Sequence, residues 1–227
     1  MSTTVSYAVP LTRKEAALRQ LRDEIITGQL EPGTVLKDAE VAARLSVSIT
    51  PVREAIAQLA AEGLIDMAPN RTRRVTRVTQ KNALELIDVM AVLACAGFEW
   101  GVDNLTAADL EKLRVRNSQF VDYLEQGALT AAAAAGADFS AIVILASGNR
   151  ELQTHVDLVV ARTLRLLALS SVSDVWDVWI DGHRETLELL EGGDNAAAVA
   201  RYRQIFGDYR DRVEVLLFDR VGEPSTS

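Results

Sequence analysis

Residues 36–65 constrain the fold of this chain more than any other part of its sequence. Apolar residues recur there at helical spacing in two short blocks, which predicts two helices. The Ser46–Ser48 segment between them is too short and too polar to continue a helix, and Pro51 would fall in the first turn of the second helix, where its missing N–H is harmless. Gly63 ends that helix, and a strand-like run follows. The pattern predicts a helix-turn-helix followed by a wing.

The flanking segments agree with this layout. Residues 14–27 have an amphipathic helical pattern, and residues 30–34 have turn chemistry. Two runs at residues 64–67 and 73–78 alternate well enough to predict two strands, with residues 69–72 at the hairpin tip. The hairpin is basic, which is expected of a wing that contacts DNA, although a solvated charged hairpin is the alternative.

Specific motifs connect this region to a known family. The run from Leu45 to Ile56, with its Thr-Pro-Val-Arg-Glu-Ala core, is followed by Glu-Gly-Leu-Ile at residues 62–65 and preceded by a Gly-x-Leu-x-Pro-Gly-x-x-Leu motif at residues 28–36. Residues 11–78 therefore resemble the N-terminal domain of GntR-family bacterial transcription regulators. The resemblance implies a winged helix-turn-helix that binds double-stranded DNA.

Two departures from the family pattern affect positions expected to contact DNA bases, and a third lies at the wing tip. Ile49 and Ala39 stand where the family usually has arginines, and Thr72 replaces the glycine common at the wing tip. An arginine bidentate to guanine contributes about 1–3 kcal/mol of discrimination, so the operator is expected to differ from the common family pattern. The predicted DNA contacts come from the second helix, its surroundings and the wing: Lys37, Arg44, Ser48, Thr50, Arg53, Arg71, Arg73 and Arg74.

The charge of the chain is divided unevenly. Its 227 residues have a net charge of −8, but residues 1–80 contain 11 Lys/Arg and 9 Asp/Glu, whereas residues 81–227 contain 13 and 23. Attraction to phosphates must therefore come from local arginines. The single cysteine, Cys95, excludes an internal disulfide and is interpreted as a buried structural thiol. Without a signal peptide or a run of 18 uncharged apolar residues, the protein is expected to be cytoplasmic, with no membrane partner.

The remainder of the sequence predicts a bundle of about six helices joined by short loops. We expect these helices at residues 82–101, 106–126, 128–146, 150–169, 173–191 and 195–220. The fold class is therefore mostly α. It comprises a winged helix-turn-helix domain at 11–78 and an all-helical domain at 79–220, with a disordered tail at 1–10 and a flexible tail at 221–227.

The helical half resembles the FCD effector-binding domain of the FadR-like branch of the same family. The resemblance rests on residues 138–149 and on the segment from His183 to Ala197. Many members of that branch bind a divalent metal with one aspartate and three histidines, and the corresponding positions are here Gly136, Ser140, His183 and Ile205. One ligand of four cannot hold a metal against water, so we expect no metal and no other cofactor.

The same four positions, Gly136, Ser140, His183 and Ile205, are predicted to line an effector pocket. Its ligand would be an organic acid or a bulkier, less charged apolar metabolite. In the alternative interpretation, His183 caps the helix running to Glu191 and the cavity has collapsed.

These expectations combine into a ligand-responsive DNA-binding regulator, a repressor rather than an enzyme. A homodimer would bind a palindromic operator, and a small molecule in the bundle would alter that binding. Two alternatives stay open at this point. One is a protein-interaction module whose winged helix no longer reads DNA, and the other is a metal-dependent helical-bundle protein. No nucleophilic or glycine-rich phosphate-binding motif supports catalysis.

Overall fold

A computed structural model describes residues 11–68, 72–168 and 173–216. The chain divides after Arg77 into two compact units. The expected tails at 1–10 and 221–227 lie outside the described residues, as does most of the predicted hairpin tip, including Arg71.

The described residues of the N-terminal unit form three helices and a small antiparallel sheet. Its elements are α1 (Arg13–Ile26), β1 (Val35–Leu36), α2 (Asp38–Leu45), α3 (Ile49–Ala61), β2 (Ile65–Met67) and β3 (Arg73–Val75). The strand order is β1-β3-β2, with Val35 paired to Arg74 and Ile65 paired to Val75. The predicted winged helix-turn-helix is confirmed, and the sheet has one strand more than the two that were predicted.

The turn between α2 and α3 has the backbone geometry that a sharp change of direction requires. Ser46 adopts a left-handed conformation with φ of 54°, and Gly63 ends α3 with φ of 73°. Ser48 is the N-cap residue of α3 with extended φ and ψ, as predicted, but its side chain makes no capping hydrogen bond. The position of Ser48 was therefore predicted correctly and its capping interaction was not.

Two ion pairs connect α1 to the helices packed on it. Arg22 lies 2.7 Å from Glu62, just past the end of α3, and Arg44 of α2 forms a bidentate pair with Glu24 of α1. Glu24 is almost fully buried, and the hydrogen bonds from Arg44 hold the pKa of its carboxyl below the usual range. The three helices otherwise share an apolar core that includes Leu21 and Ile56.

Six helices lie in the described part of the C-terminal unit, residues 78–168 and 173–216. They are α4 (Gln80–Gly101), α5 (Ala107–Glu125), α6 (Leu129–Ala146), α7 (Arg150–Ala168), α8 (Ser173–Glu191) and α9 (Asn195–Leu216), with a 3-10 turn at Val102–Asn104. Helix α4 packs against α6, α7 and α9, while α5 packs against α6 and α8. Apart from residues 169 and 217–220, which the structure does not describe, the six predicted helices are present.

The apolar composition of helix α6 can be compared with its burial in the bundle. It is long and apolar enough to cross a membrane by length and composition alone, with a mean hydropathy of 1.8. Its face containing Gly136, Phe139 and Val143 is buried, and the helix packs against α4, α5 and α7. Packing in the bundle accounts for part of this composition, since 33 % of the helix is buried.

The bundle also requires glycine where two helices approach closely. A Cβ atom at Gly101 would overlap the backbone carbonyl oxygen of Val143, which cannot move independently of α6. In contrast, a Cβ atom at Gly207 of α9 would meet no atom within 4 Å.

These two glycines give a matched test of the packing. We expect Gly101→Ala to destabilise the protein by about 1–3 kcal/mol, because α4 and α6 must separate. Gly207→Ala should be neutral or stabilising by up to about 1 kcal/mol, since alanine favours helix. Denaturant unfolding of both variants measures the difference, and equal effects would contradict the close helix contact.

Candidate nucleic-acid interface and ligand cavity

The first turns of α3 present the side chains that were predicted to face DNA. Ile49 and Thr50 are exposed at the start of the helix, and the Arg53 side chain is 63 % exposed one turn later. The opposite face, with Val52, Ala55 and Ile56, is completely buried. Thr50 and Arg53 are therefore available to a partner, whereas the helix is held by its apolar side.

A single carboxylate connects this helix to the wing. Asp38 is the first residue of α2. One of its carboxylate oxygens accepts a hydrogen bond of 2.7 Å from Nε of Arg53, and the other forms an ion pair with Arg73. Burial raises the pKa of Asp38, but hydrogen bonds from Arg53 and Arg73 outweigh it, so the pKa lies below its usual range. Asp38 was not among the predicted site residues, because its partners are 15 and 35 residues away in the sequence.

The other predicted contacts differ in how freely they are presented. Lys37 is exposed and lies 2.7 Å from Glu40 of its own helix turn. Arg44 has both guanidinium nitrogens on Glu24, so its observed contact is structural. Arg74 is exposed on β3, where it is paired in register with Val35 and Asp66. Ser48 is exposed at the start of α3.

The C-terminal unit encloses a cavity of about 290 Å³. Small residues of α6 form one side of the cavity, and several aromatic side chains form another. The small residues include Ala133, Ala134, Gly136, Ala137 and Ala141, and the aromatic ones are Phe120, Trp176, Trp179, Tyr202 and Phe206. A cavity of this size and composition matches a site for a small organic molecule.

His183 lies in the cavity wall and is completely buried. Its ring stacks on Phe139 at a centroid distance of 4.4 Å, while Phe120 and Trp179 contact it edge-on at 5.4 Å. Neither ring nitrogen has a hydrogen-bond partner among the described residues. Burial lowers the pKa of His183 to about 3, so the imidazole is neutral at physiological pH.

Three of the four predicted effector residues meet at this cavity. Gly136, Ser140 and His183 all line it, and a Cβ atom at Gly136 would lie 3.4 Å from Cε1 of His183. Ile205 is completely buried but does not line the cavity; its side chain fills the space beside Gly182 of α8. Of the four predicted positions, Ile205 is therefore the one that the structure does not bring to the cavity, because its side chain packs between α8 and α9.

The alternative in which His183 caps a helix and the cavity has collapsed is also contradicted. His183 lies within α8, far from either end, and an open cavity adjoins it. Sequence reasoning missed the aromatic lining, since aromatic residues at helical spacing do not by themselves distinguish a core from a cavity wall.

The residues present do not fit the metal site that many relatives have. Gly136 and Ile205 offer no ligand atom, and the imidazole of His183 is enclosed by aromatic rings. Within residues 11–68, 72–168 and 173–216, no group of three or more His, Cys, Asp or Glu side chains is arranged to hold a metal ion. A metal needs three or four such ligands.

Comparison with protein families identifies both units. Residues 13–75 match the model of bacterial regulatory proteins of the gntR family, and residues 85–208 match the FCD domain.

The following proteins, which are similar to this chain over most of its length, are transcription regulators. The chain is 30 % identical to a probable D-xylose utilization operon transcriptional repressor of Paenarthrobacter nicotinovorans, covering 81 % of this chain and 82 % of that protein. It is 26 % identical to the gluconate operon transcriptional repressor of Bacillus subtilis, covering 87 % and 83 %. Among solved structures, McbR/YncC of E. coli has a TM-score of 0.76 at 20 % identity, over 94 % of this chain and all of that one. At this identity, the structural match supports the fold alone.

The buried imidazole predicts a specific pH dependence of stability. The unfolded chain binds a proton at residue 183 below about pH 6.5, whereas the folded chain does so only near pH 3, so acidification through this window favours unfolding. Between pH 6.5 and 5.0 we expect the wild type to lose about 1.5 kcal/mol more stability than His183→Phe, which cannot titrate there. Denaturant unfolding at both pH values measures this difference, in which other titrating groups cancel. A difference between the two proteins that does not change with pH would contradict the prediction.

Proposed function

Because the chain belongs to the GntR family of DNA-binding transcription regulators and carries an FCD domain, we propose that it represses an operon whose operator it binds through α3 and the wing. A small molecule in the cavity of the C-terminal unit alters that binding. The proposal rests on the presence, in one chain, of an exposed Arg53 on α3 and of a ligand-sized cavity beside His183 in the C-terminal unit.

Arg53 and Arg74 are the proposed principal contacts to DNA. Both are exposed, and they belong to the helix and the strand that enter or flank the grooves in winged-helix proteins. Thr50 supplies a hydroxyl one turn before Arg53, and Lys37, Arg73 and Arg71 add positive charge. Ile49 offers only an apolar surface, which suits a thymine methyl group better than a guanine edge.

The effector is proposed to be a small molecule rather than a metal complex. The named roles of the relatives, in D-xylose utilization and gluconate operons, support control of a catabolic operon without identifying the ligand of this chain. Nothing in the described residues favours the alternative of a protein-interaction module. We place the protein in the cytoplasm, where its operator is, and assign it no catalytic role.

A homodimer on a palindromic operator is the proposed assembly. Helix α4 exposes Val89, Val92 and Trp100, which are 49 %, 70 % and 52 % exposed. Their spacing of three and then eight residues places them along one side of the helix. An apolar stripe of this kind on a surface helix is expected to be covered by a second copy.

The DNA interface can be tested on a fragment from upstream of the gene. We expect Arg53→Ala to weaken binding about tenfold or more and Arg74→Ala to weaken it severalfold, with a smaller salt dependence in both. Arg150→Ala, an exposed arginine of α7, is the control for net charge and should leave binding unchanged. Titrations followed by fluorescence anisotropy at several salt concentrations measure these effects; absence of operator binding by the wild type at low salt would refute the function.

The dimer surface gives a separate prediction. Val92→Glu places a charge on the proposed interface, so the mass measured by light scattering should fall to that of one chain. Val115→Glu on α5, which replaces another exposed valine, should leave the mass unchanged. A wild-type protein that is already monomeric, or a Val92→Glu variant that stays dimeric, would contradict this assignment.

A further inference from the structure

The charges around the cavity of the C-terminal unit limit which ligand it can hold. Among the described residues that line it, none is lysine or arginine, and Met90 and Ala94 of α4 contribute only apolar surface. The acidic residues are Asp138 and Asp157, both exposed at the rim. Asp138 also lies 3.2 Å from Arg116, which neutralises it from outside.

The cavity wall also contains buried polar atoms that lack partners. Neither nitrogen of His183 makes a hydrogen bond to a described residue, and the same holds for Nε1 of Trp179; the Tyr202 hydroxyl lies beside Ser140 but makes no hydrogen bond of full geometry to a described residue. All three side chains line the cavity and are at most 7 % exposed. Leaving such a group unsatisfied costs about 1–3 kcal/mol, so these atoms form a built site for a ligand with complementary groups.

The neutral forms of these groups define what they can bind. The Tyr202 hydroxyl can donate or accept, the indole N–H of Trp179 can only donate, and the neutral imidazole of His183 offers one donor and one acceptor. A hydroxyl, carbonyl or amide group satisfies such a set. An isolated carboxylate or ammonium would enter without a counter-charge, and burying it costs far more than burying a neutral group.

We propose that the effector is an uncharged molecule with an apolar or aromatic body and one hydroxyl, carbonyl or amide group that binds His183, Tyr202 and Trp179. Organic anions are disfavoured because no lysine or arginine is among the described residues that line the cavity, and ammonium compounds are disfavoured because the two aspartates that line it, Asp138 and Asp157, are exposed to solvent. This inference rests on the proposed function, because it names the ligand class of the same cavity. It narrows the sequence-based expectation, which left organic acids open.

Three probes of matched shape test the charge preference: 2-phenylethanol, phenylacetate and 2-phenylethylammonium at pH 7. Calorimetry and thermal unfolding of the full chain measure their binding. We expect 2-phenylethanol to bind and to raise the midpoint of unfolding with concentration, and both charged probes to bind at least tenfold more weakly.

Two tyrosines of α9 provide matched variants. Tyr202 and Tyr209 are both completely buried, and neither hydroxyl makes a hydrogen bond of full geometry to a described residue, but of the two only Tyr202 lines the cavity. Tyr202→Phe should weaken 2-phenylethanol binding about fivefold, the effect of losing one hydrogen bond. Tyr209→Phe should leave binding unchanged. Because both variants remove an unsatisfied hydroxyl, neither is expected to unfold the protein.

The outcomes separate failure of this inference from failure of the regulator function. Tighter binding of phenylacetate, equal binding of all three probes, or no binding of any probe at 10 mM would overturn the neutral-ligand assignment. Equal effects of the two tyrosine variants would overturn the site. The same preparations are titrated with the upstream DNA fragment, so operator binding without probe binding refutes only the ligand class, and absent operator binding refutes the function itself.

Discussion

The organisation of the helical unit depends on the burial of one imidazole. His183 of α8 brings together Phe139 of α6, Phe120 of α5 and Trp179 of its own helix. Ring packing offsets part of the cost of removing the imidazole from water, but neither ring nitrogen has a hydrogen-bond partner in the part of the chain that the structure describes. The ring contacts that join α5, α6 and α8 therefore keep a polar imidazole in the otherwise apolar wall of the cavity.

Much of the fold could be predicted from local sequence signals. Helix boundaries follow from glycines such as Gly63, Gly127 and Gly193, all of which have positive φ, and from helical apolar periodicity. The two-residue strand β1 was missed because a strand of that length has no alternation to detect, and it exists only through pairing with β3. The 3-10 turn after Gly101 was missed for a similar reason, since three residues show no period.

The sites were less predictable, because they are made by residues distant in sequence. Family resemblance predicted Gly136, Ser140, His183 and Ile205 together, and the structure brings the first three to one cavity, whereas Ile205 lies outside its lining. Whether a helical side chain faces a cavity or a neighbouring helix depends on how helices pack, which spacing along one helix does not specify. The ion pairs between Asp38 and the arginines of α3 and β3 could not be predicted from the sequence for the same reason.

The ion pairs of Asp38 have a consequence for the proposed contact of Arg53 with DNA. Two guanidinium groups share this one carboxylate, Arg53 largely exposed and Arg73 only 22 % exposed. If Arg53 turns towards DNA, Arg73 still neutralises Asp38, so the exchange leaves no isolated buried charge. Asp38 therefore orders Arg53 in the free protein, and Arg73 of the wing remains to compensate the carboxylate when Arg53 makes the proposed contact with DNA.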